Sequence, residues 1–292
     1  MGFTGLPGGN APVALGSAAC WGVGDFSGGM GVKHAGGSLH AALRVVILSH
    51  LTSFSVLILL ACALGGPFPR GHLLGWGLTA GVLAGFSLSA FYTALSRGTM
   101  GVSAAVSGLL AAAIPAVVSS VVDGTPGLIR ILGFVAAGAA IWLIAAGESA
   151  HEQRATTLLA TLAGVGFGLY FVCLRFAGPA GVLWPMTTAR MGSIGTCAVL
   201  LLFLPKAGED APAVINRSVI RWVLLTALFD TCGNLLFVEA TRSGRLDVAS
   251  VLASLYPAST IVLAAVLLHE RLSVRQRCGL GVALAAVLLV TL

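Results

Sequence analysis

A chain of 292 residues with 9 % charged and 57 % hydrophobic side chains, and a mean hydropathy of +0.99, is not composed for water, because soluble domains carry about a quarter charged residues. The formal charge of +6 does not indicate nucleic acid, since the 16 Lys and Arg residues are scattered singly with no basic tract. The 6 cysteines (Cys20, Cys62, Cys173, Cys197, Cys232 and Cys278) show no C-x-x-C pair and no His-rich neighbourhood, so they read as small buried apolar residues and no metal or cofactor is expected.

Met1 to Ala11 lacks Lys and Arg, and the first apolar run contains Asp25, unlike a cleaved signal; the first helix is expected to be retained. Splitting at polar residues, Gly and Pro predicts helices over 12–31, 37–63, 72–95, 100–121, 127–147, 156–177, 181–204, 219–241, 246–268 and 274–292. Most reach the roughly 20 residues that cross a hydrocarbon core of about 30 Å. The expected fold class is therefore an all-α integral membrane protein with ten transmembrane helices in one compact domain, its solvent the lipid bilayer. Only Glu148 to Thr156 and Pro205 to Ser218 have the composition of soluble loops, and the first of them bisects the chain.

Shifting the chain on itself by 146 residues pairs Arg44 with Arg190, Gly22 with Gly168, Trp76 with Trp222 and Phe91 with Phe237 without a gap. Apolar coincidences alone would mean little in so hydrophobic a chain, but Arg, Trp and Gly in one register are far harder to produce by chance. The chain thus divides into two five-helix repeats, 1–146 and 147–292. An odd number of helices in each makes them inverted repeats, the usual construction of secondary transporters with a site near the bilayer midplane.

The second half contains Ser254-Leu255-Tyr256-Pro257, then His269-Glu270-Arg271-Leu272, then Gln276 and Gly279. This pattern resembles the drug/metabolite transporter superfamily, EamA type, and Trp21-Gly22-Val23-Gly24-Asp25-Phe26 resembles the first helix of that family. The resemblance implies a ten-helix transporter of small metabolites in the plasma or inner membrane, often working outward. It departs at His269, where glycine is commoner, and at Asp123-Gly124, where the first repeat has lost the Glu-Arg turn. With the cytoplasmic N-terminus that the resemblance implies, the Lys and Arg tally opposes the positive-inside rule, so orientation stays open.

Charges inside apolar runs are expensive and mark candidate function. Arg44 and Arg190 read either as paired anchors for a substrate carboxylate or phosphate, through forked donors, or as snorkelling or carbonyl-tying structural residues. Thr226, Asp230 and Asn234 recur every four residues on one helix face. Their counterparts Ala80, Ala84 and Leu88 are apolar, so the stripe belongs to one repeat, as a substrate or ion site would. Asp230 and, more weakly, Glu239 are candidate carriers of a coupling proton. Asp25, Trp21, Tyr92 and Tyr256 are candidate cavity residues, with aromatic packing the competing account for the rings. Gly22-Val23-Gly24-Asp25 also fits the Gly-x-Gly-Asp signature of intramembrane aspartyl proteases, but the second carboxylate such enzymes need has no earlier helix to stand on. Glycines spaced by four at Gly77, Gly81 and Gly85, at Gly24 and Gly28, and at Gly164 and Gly168 predict close helix packing, and Pro115 and Pro257 predict breaks in the fourth and ninth helices.

These residues predict no catalysis. They predict a secondary transporter or exporter of small polar metabolites, amino-acid-like or related, or of drugs, by alternating access, with a proton as possible coupling ion. The competing readings are an aspartyl-protease-like membrane enzyme and a non-transporting membrane sensor or scaffold.

Overall fold

A computed structural model describes residues 10–97, 100–145, 154–204, 215–267 and 273–291. Among them are α1 (Ala11–His34), α2 (Leu39–Leu64), α3 (His72–Arg97), α4 (Met100–Val122), α5 (Leu128–Ala145), α6 (Arg154–Ala177), α7 (Leu183–Phe203), α8 (Arg217–Ser243), α9 (Leu246–Ala253), α10 (Tyr256–Leu267) and α11 (Val274–Thr291), with a 3-10 turn at Gly178–Ala180. The chain is an all-α, multi-pass membrane protein of ten helices, the ninth broken into α9 and α10. Five of these, covering α2, α3, α6, α7 and α8, are each long and apolar enough to cross a bilayer by themselves. Helix α1 falls short because its glycines and Asp25 dilute its hydropathy, which costs little in a helix with 15 buried residues.

Local chemistry accounts for the starts and reversals. Ser38 caps α2 by accepting from the Ala41 amide at 3.1 Å, and Asn216 caps α8 by accepting from Val219 at 2.9 Å. Gly36 and Gly37, at φ of 108° and 70°, make the reversal between α1 and α2 in a conformation that side chains resist. Pro257 ends the short α9 as expected, and Ser254 and Leu255 form the break. Pro115 does not break its helix as predicted: it sits inside a continuous α4. The His269-Glu270-Arg271-Leu272 turn and most of both polar connectors lie outside the described residues. Cys173 and Cys197 are buried as expected, but Cys62 and Cys278 are exposed, on faces turned to lipid rather than into the core.

The 146-residue shift carries α5 onto α11, α3 onto α8 and α4 onto α9 with α10. It also relates the packing. Helix α1 packs on α8 as α6 packs on α3, α4 rests on α6 as α9 and α10 rest on α1, and α2 meets α7 while α5 meets α11. One pair breaks this correspondence. Helices α3 and α7 are in backbone contact, since a Cβ on Gly77, Gly81 or Gly192 would overlap Thr188, the Ala189 carbonyl or the Leu78 carbonyl. The corresponding helices α2 and α8 stand apart around an apolar groove of about 320 Å³, lined by Thr52, Val56, Leu60, Leu224, Leu228 and Leu235.

In lipid, where no hydrophobic force drives helices together, close contact through small residues supplies the association. Gly81→Val therefore costs about 3 kcal/mol or more by overpacking against backbone that cannot yield, whereas Gly75→Val, with nothing within 4 Å of its Cβ, changes stability by about 0.5 kcal/mol or less. Thermal melts of the two variants in the same detergent provide the comparison.

Candidate functional site

The glycine seam of α3 draws α7 inward, and with it Arg190, which is 1 % exposed. Two of its nitrogens find partners on three residues. Nη2 donates to Asp230 Oδ2 on α8 at 2.6 Å and to Thr231 Oγ1 at 3.3 Å, and Nη1 donates to His50 Nε2 on α2 at 2.7 Å. A guanidinium only donates, so His50 Nε2 is an acceptor and its proton sits on Nδ1, from which it donates to Ser193 Oγ at 2.8 Å. Asp230 Oδ1 accepts from Asn234 Nδ2 at 2.9 Å, and Tyr170 of α6 donates to Asn234 Oδ1 at 2.5 Å. A cation and an anion thus cancel at the centre, tied to four helices.

Helix α1 closes the other side. Gly24 lies against the Asp230 backbone, where a Cβ would stand 3.0 Å from its amide nitrogen, and Gly233 of α8 receives the Trp21 indole. Ser17 donates to the Gly233 carbonyl at 2.8 Å, and the Asn10 amide donates to Ala240 and Arg245 carbonyls at 3.0 Å. Between α1 and this network is a cavity of about 30 Å³ lined by Asp25, Arg190, Asp230, Asn234 and the rings of Trp21, Phe167, Tyr170, Phe171 and Tyr256. That is room for one or two waters.

Of the residues singled out in the sequence, Arg190, Asp230, Asn234, Asp25, Trp21 and Tyr256 meet at this cavity. Arg44 does not join Arg190 there; it is half-buried near the start of α2. Thr226 turns back to donate to the Trp222 carbonyl at 2.8 Å. Tyr92 lies behind the wall with its ring against Gly28, and its buried hydroxyl has no hydrogen-bond partner among the described residues. Glu239 sits at the far end of α8 in a pair with Arg242 at 3.2 Å. The sequence reading passed over His50, Tyr170, Phe167 and Phe171. An intramembrane histidine was a readable signal for the first of these; the aromatic residues of α6 give none apart from the fold. The protease reading gains nothing, because a dyad must share a proton and the Asp230 carboxylate is committed to Arg190 and Asn234.

One end of the bundle is fastened by a second charge cluster. Asp123, just past α4, accepts from Ser119 Oγ at 2.7 Å and pairs with Arg175 of α6 at 3.5 Å. Arg175 also donates to the Thr241 carbonyl of α8. Arg245, before α9, donates to the carbonyls of Asp123 and Gly124 at 2.8 and 2.7 Å and pairs with Asp247 at 2.8 Å. The departure noticed at Asp123-Gly124 is therefore a junction of four helix ends. Burial would raise the Asp123 carboxyl, but the hydrogen bonds from Ser119 and Leu246, with Arg175 and Arg245 nearby, outweigh it and hold the carboxyl below its ordinary value.

Residues 154–292 match the EamA-like transporter family. No curated protein matches the chain. A solved crystal structure shares its fold with a TM-score of 0.70 across 96 % of this chain and 95 % of that one, at 14 % sequence identity. The family match spans α6 to α11, and the first half follows the same succession of helices in the 146-residue register.

Two outcomes follow from these clusters. Asp230→Asn strands the Arg190 charge and destabilises by about 3–5 kcal/mol, whereas the apolar pair Arg190→Met with Asp230→Leu recovers most of that loss; apparent Tm in detergent distinguishes them. Because the folded Asp123 carboxyl lies below its unfolded value, its stabilisation is complete above about pH 4 and fades as the pH falls through the folded value. Asp123→Asn consequently lowers apparent Tm by about 2–4 °C at pH 7 and flattens the acid limb of a Tm-against-pH series.

Proposed function

We propose that the chain, whose residues 154–292 match the EamA-like transporter family, is an EamA-type member of the drug/metabolite transporter superfamily, a secondary transporter moving small polar metabolites or drugs across the plasma or inner membrane by alternating access. The two five-helix halves, 1–146 and 147–292, act as inverted repeats, and the cavity between α1, α3, α6, α7, α8 and α10 is the substrate site. One observation carries this reading: a small, water-sized space whose walls combine a neutralised Arg190–Asp230 pair, the Asn234 amide and Asp25, whose carboxyl has no hydrogen-bond or ion-pair partner among the described residues. A structural core has no use for such a space, since a polar cavity with an unsatisfied carboxyl costs stability that apolar packing would not.

The Asp123, Arg175 and Arg245 junction is the gate at one end of the path. Its groups are partly solvated, so its bonds break at modest cost. The central network moves little by comparison: Asp230 and Asn234 orient substrate from one wall, with Trp21 and Tyr256 as its aromatic sides. Asp230 is a poor carrier for a coupling proton because Arg190 holds it as a carboxylate, and Glu239 is remote from the cavity and paired.

The alternative is a membrane sensor that binds without transport. Leu88 lines the cavity at 5 % exposure and serves to separate the two. Placed in a chain whose 6 native cysteines have been replaced, Leu88→Cys is expected to react with a membrane-impermeant maleimide added to either side of sealed vesicles. Labelling from one side alone, with or without an imposed gradient, would decide for the sensor.

A further inference from the structure

Asp25 is the carboxyl of this cavity that the rest of the network leaves alone. It is 7 % exposed, on the middle of α1, and no hydrogen bond or ion pair reaches it among the described residues. Facing it are Asp230 and Asn234 from α8, Arg190 from α7 behind Asp230, Tyr170 from α6, Tyr92 from α3 and Tyr256 from α10. His50 of α2 points into the Arg190 network, and α9 contributes Asp247, which is held by Arg245 at the bundle's end.

Charge bookkeeping narrows what this cavity accepts. Arg190 and Asp230 cancel, and His50 is neutral because Nε2 accepts from Arg190. An ionised Asp25 therefore leaves the cavity with one uncompensated negative charge in surroundings that penalise it heavily. Two species relieve that charge: a proton, giving a neutral acid, or a cation brought in from outside. An anion finds no comparable welcome, since the Arg190 Nη groups are engaged and the unpartnered Nε offers a single N–H.

The walls agree with the charge. Trp21 and Phe171 are stacked at 5.1 Å with 3° between their planes, Phe167, Tyr170 and Tyr256 complete the lining, and aromatic faces attract ammonium groups most strongly where water is excluded. We propose that the substrate is a small organic cation, an amine or quaternary ammonium, which binds at Asp25 in exchange for its proton, so that one cation moving in one direction is coupled to one proton in the other. This rests on the transporter reading above, and it places the coupling proton on Asp25 rather than on Asp230 or Glu239. The protonated acid needs no counter-charge, which agrees with a cavity of only about 30 Å³.

The test uses the full chain, purified in weakly buffered detergent and also reconstituted in sealed vesicles, with phenethylammonium, its anionic counterpart phenylacetate and the neutral phenylethanol as probes. Phenethylammonium is expected to bind with release of about one proton per bound cation. Asp25→Asn, which keeps the shape, loses that release and weakens binding about tenfold or more, and Asp25→Glu restores release. In vesicles, an inward proton gradient drives phenethylammonium the opposite way. Binding of phenethylammonium without proton release, equal or tighter binding of phenylacetate, or unchanged binding by Asp25→Asn overturns the cation assignment. Flux of phenylacetate alone overturns it while leaving transport standing. Proton-linked cation binding with no flux of any probe supports the site and removes the transporter reading instead.

Discussion

At the centre of the bundle a guanidinium and a carboxylate meet at 2.6 Å, each almost wholly withdrawn from solvent. Every other arrangement in the interior answers to that contact. An ion pair taken out of water gains little net stability and becomes very costly if either partner is lost, so the pair acts as a demand for correct assembly. His50 from α2, Arg190 from α7, Asp230 and Asn234 from α8 and Tyr170 from α6 satisfy one another only when four helices stand in one register. The glycines of α1 and α3 make that register reachable by letting backbones approach to contact.

The second charge cluster has a different character. At Asp123, Arg175 and Arg245 the ions keep some exposure and lean on backbone carbonyls as much as on one another. Bonds of this kind are replaced by water at small cost. A dry pair at the centre fixes geometry, and a wet junction at the end fastens it reversibly.

Much of this was legible beforehand. The 146-residue register, the glycine spacings and the single-sided stripe on α8 located the helix seams and two of the central polar residues, because small residues and intramembrane charges have few other uses. Arg44 shows the limit: symmetry in sequence suggested a symmetric pair, but only Arg190 reaches the cavity and Asp230, a residue that aligns with Ala84 in the first half. Thr226 shares a helix face with Asp230 and still spends its hydroxyl on its own backbone, which periodicity cannot reveal. Phe167, Tyr170 and Phe171 belong to the cavity through tertiary placement alone. Pro115 stays within a continuous helix, whereas Pro257 coincides with a real break, and composition does not separate the two.

The inequality between the two equivalent flanks has a mechanical meaning. Along α3 and α7 backbone touches backbone through Gly81 and Gly192, and Gly77 lies against the Thr188 side chain, so little there can be compressed further. On the opposite flank the positions in register with Gly77, Gly81 and Gly85 are Val223, Ala227 and Thr231, whose side chains keep α2 and α8 from the same embrace. That side is an open apolar groove, which yields more easily than close-packed protein interior. Two springs of unequal stiffness joined in one frame do not share a load equally, so elastic strain imposed on this bundle, whether by a ligand or by a change in bilayer thickness, is taken up at the α2–α8 flank.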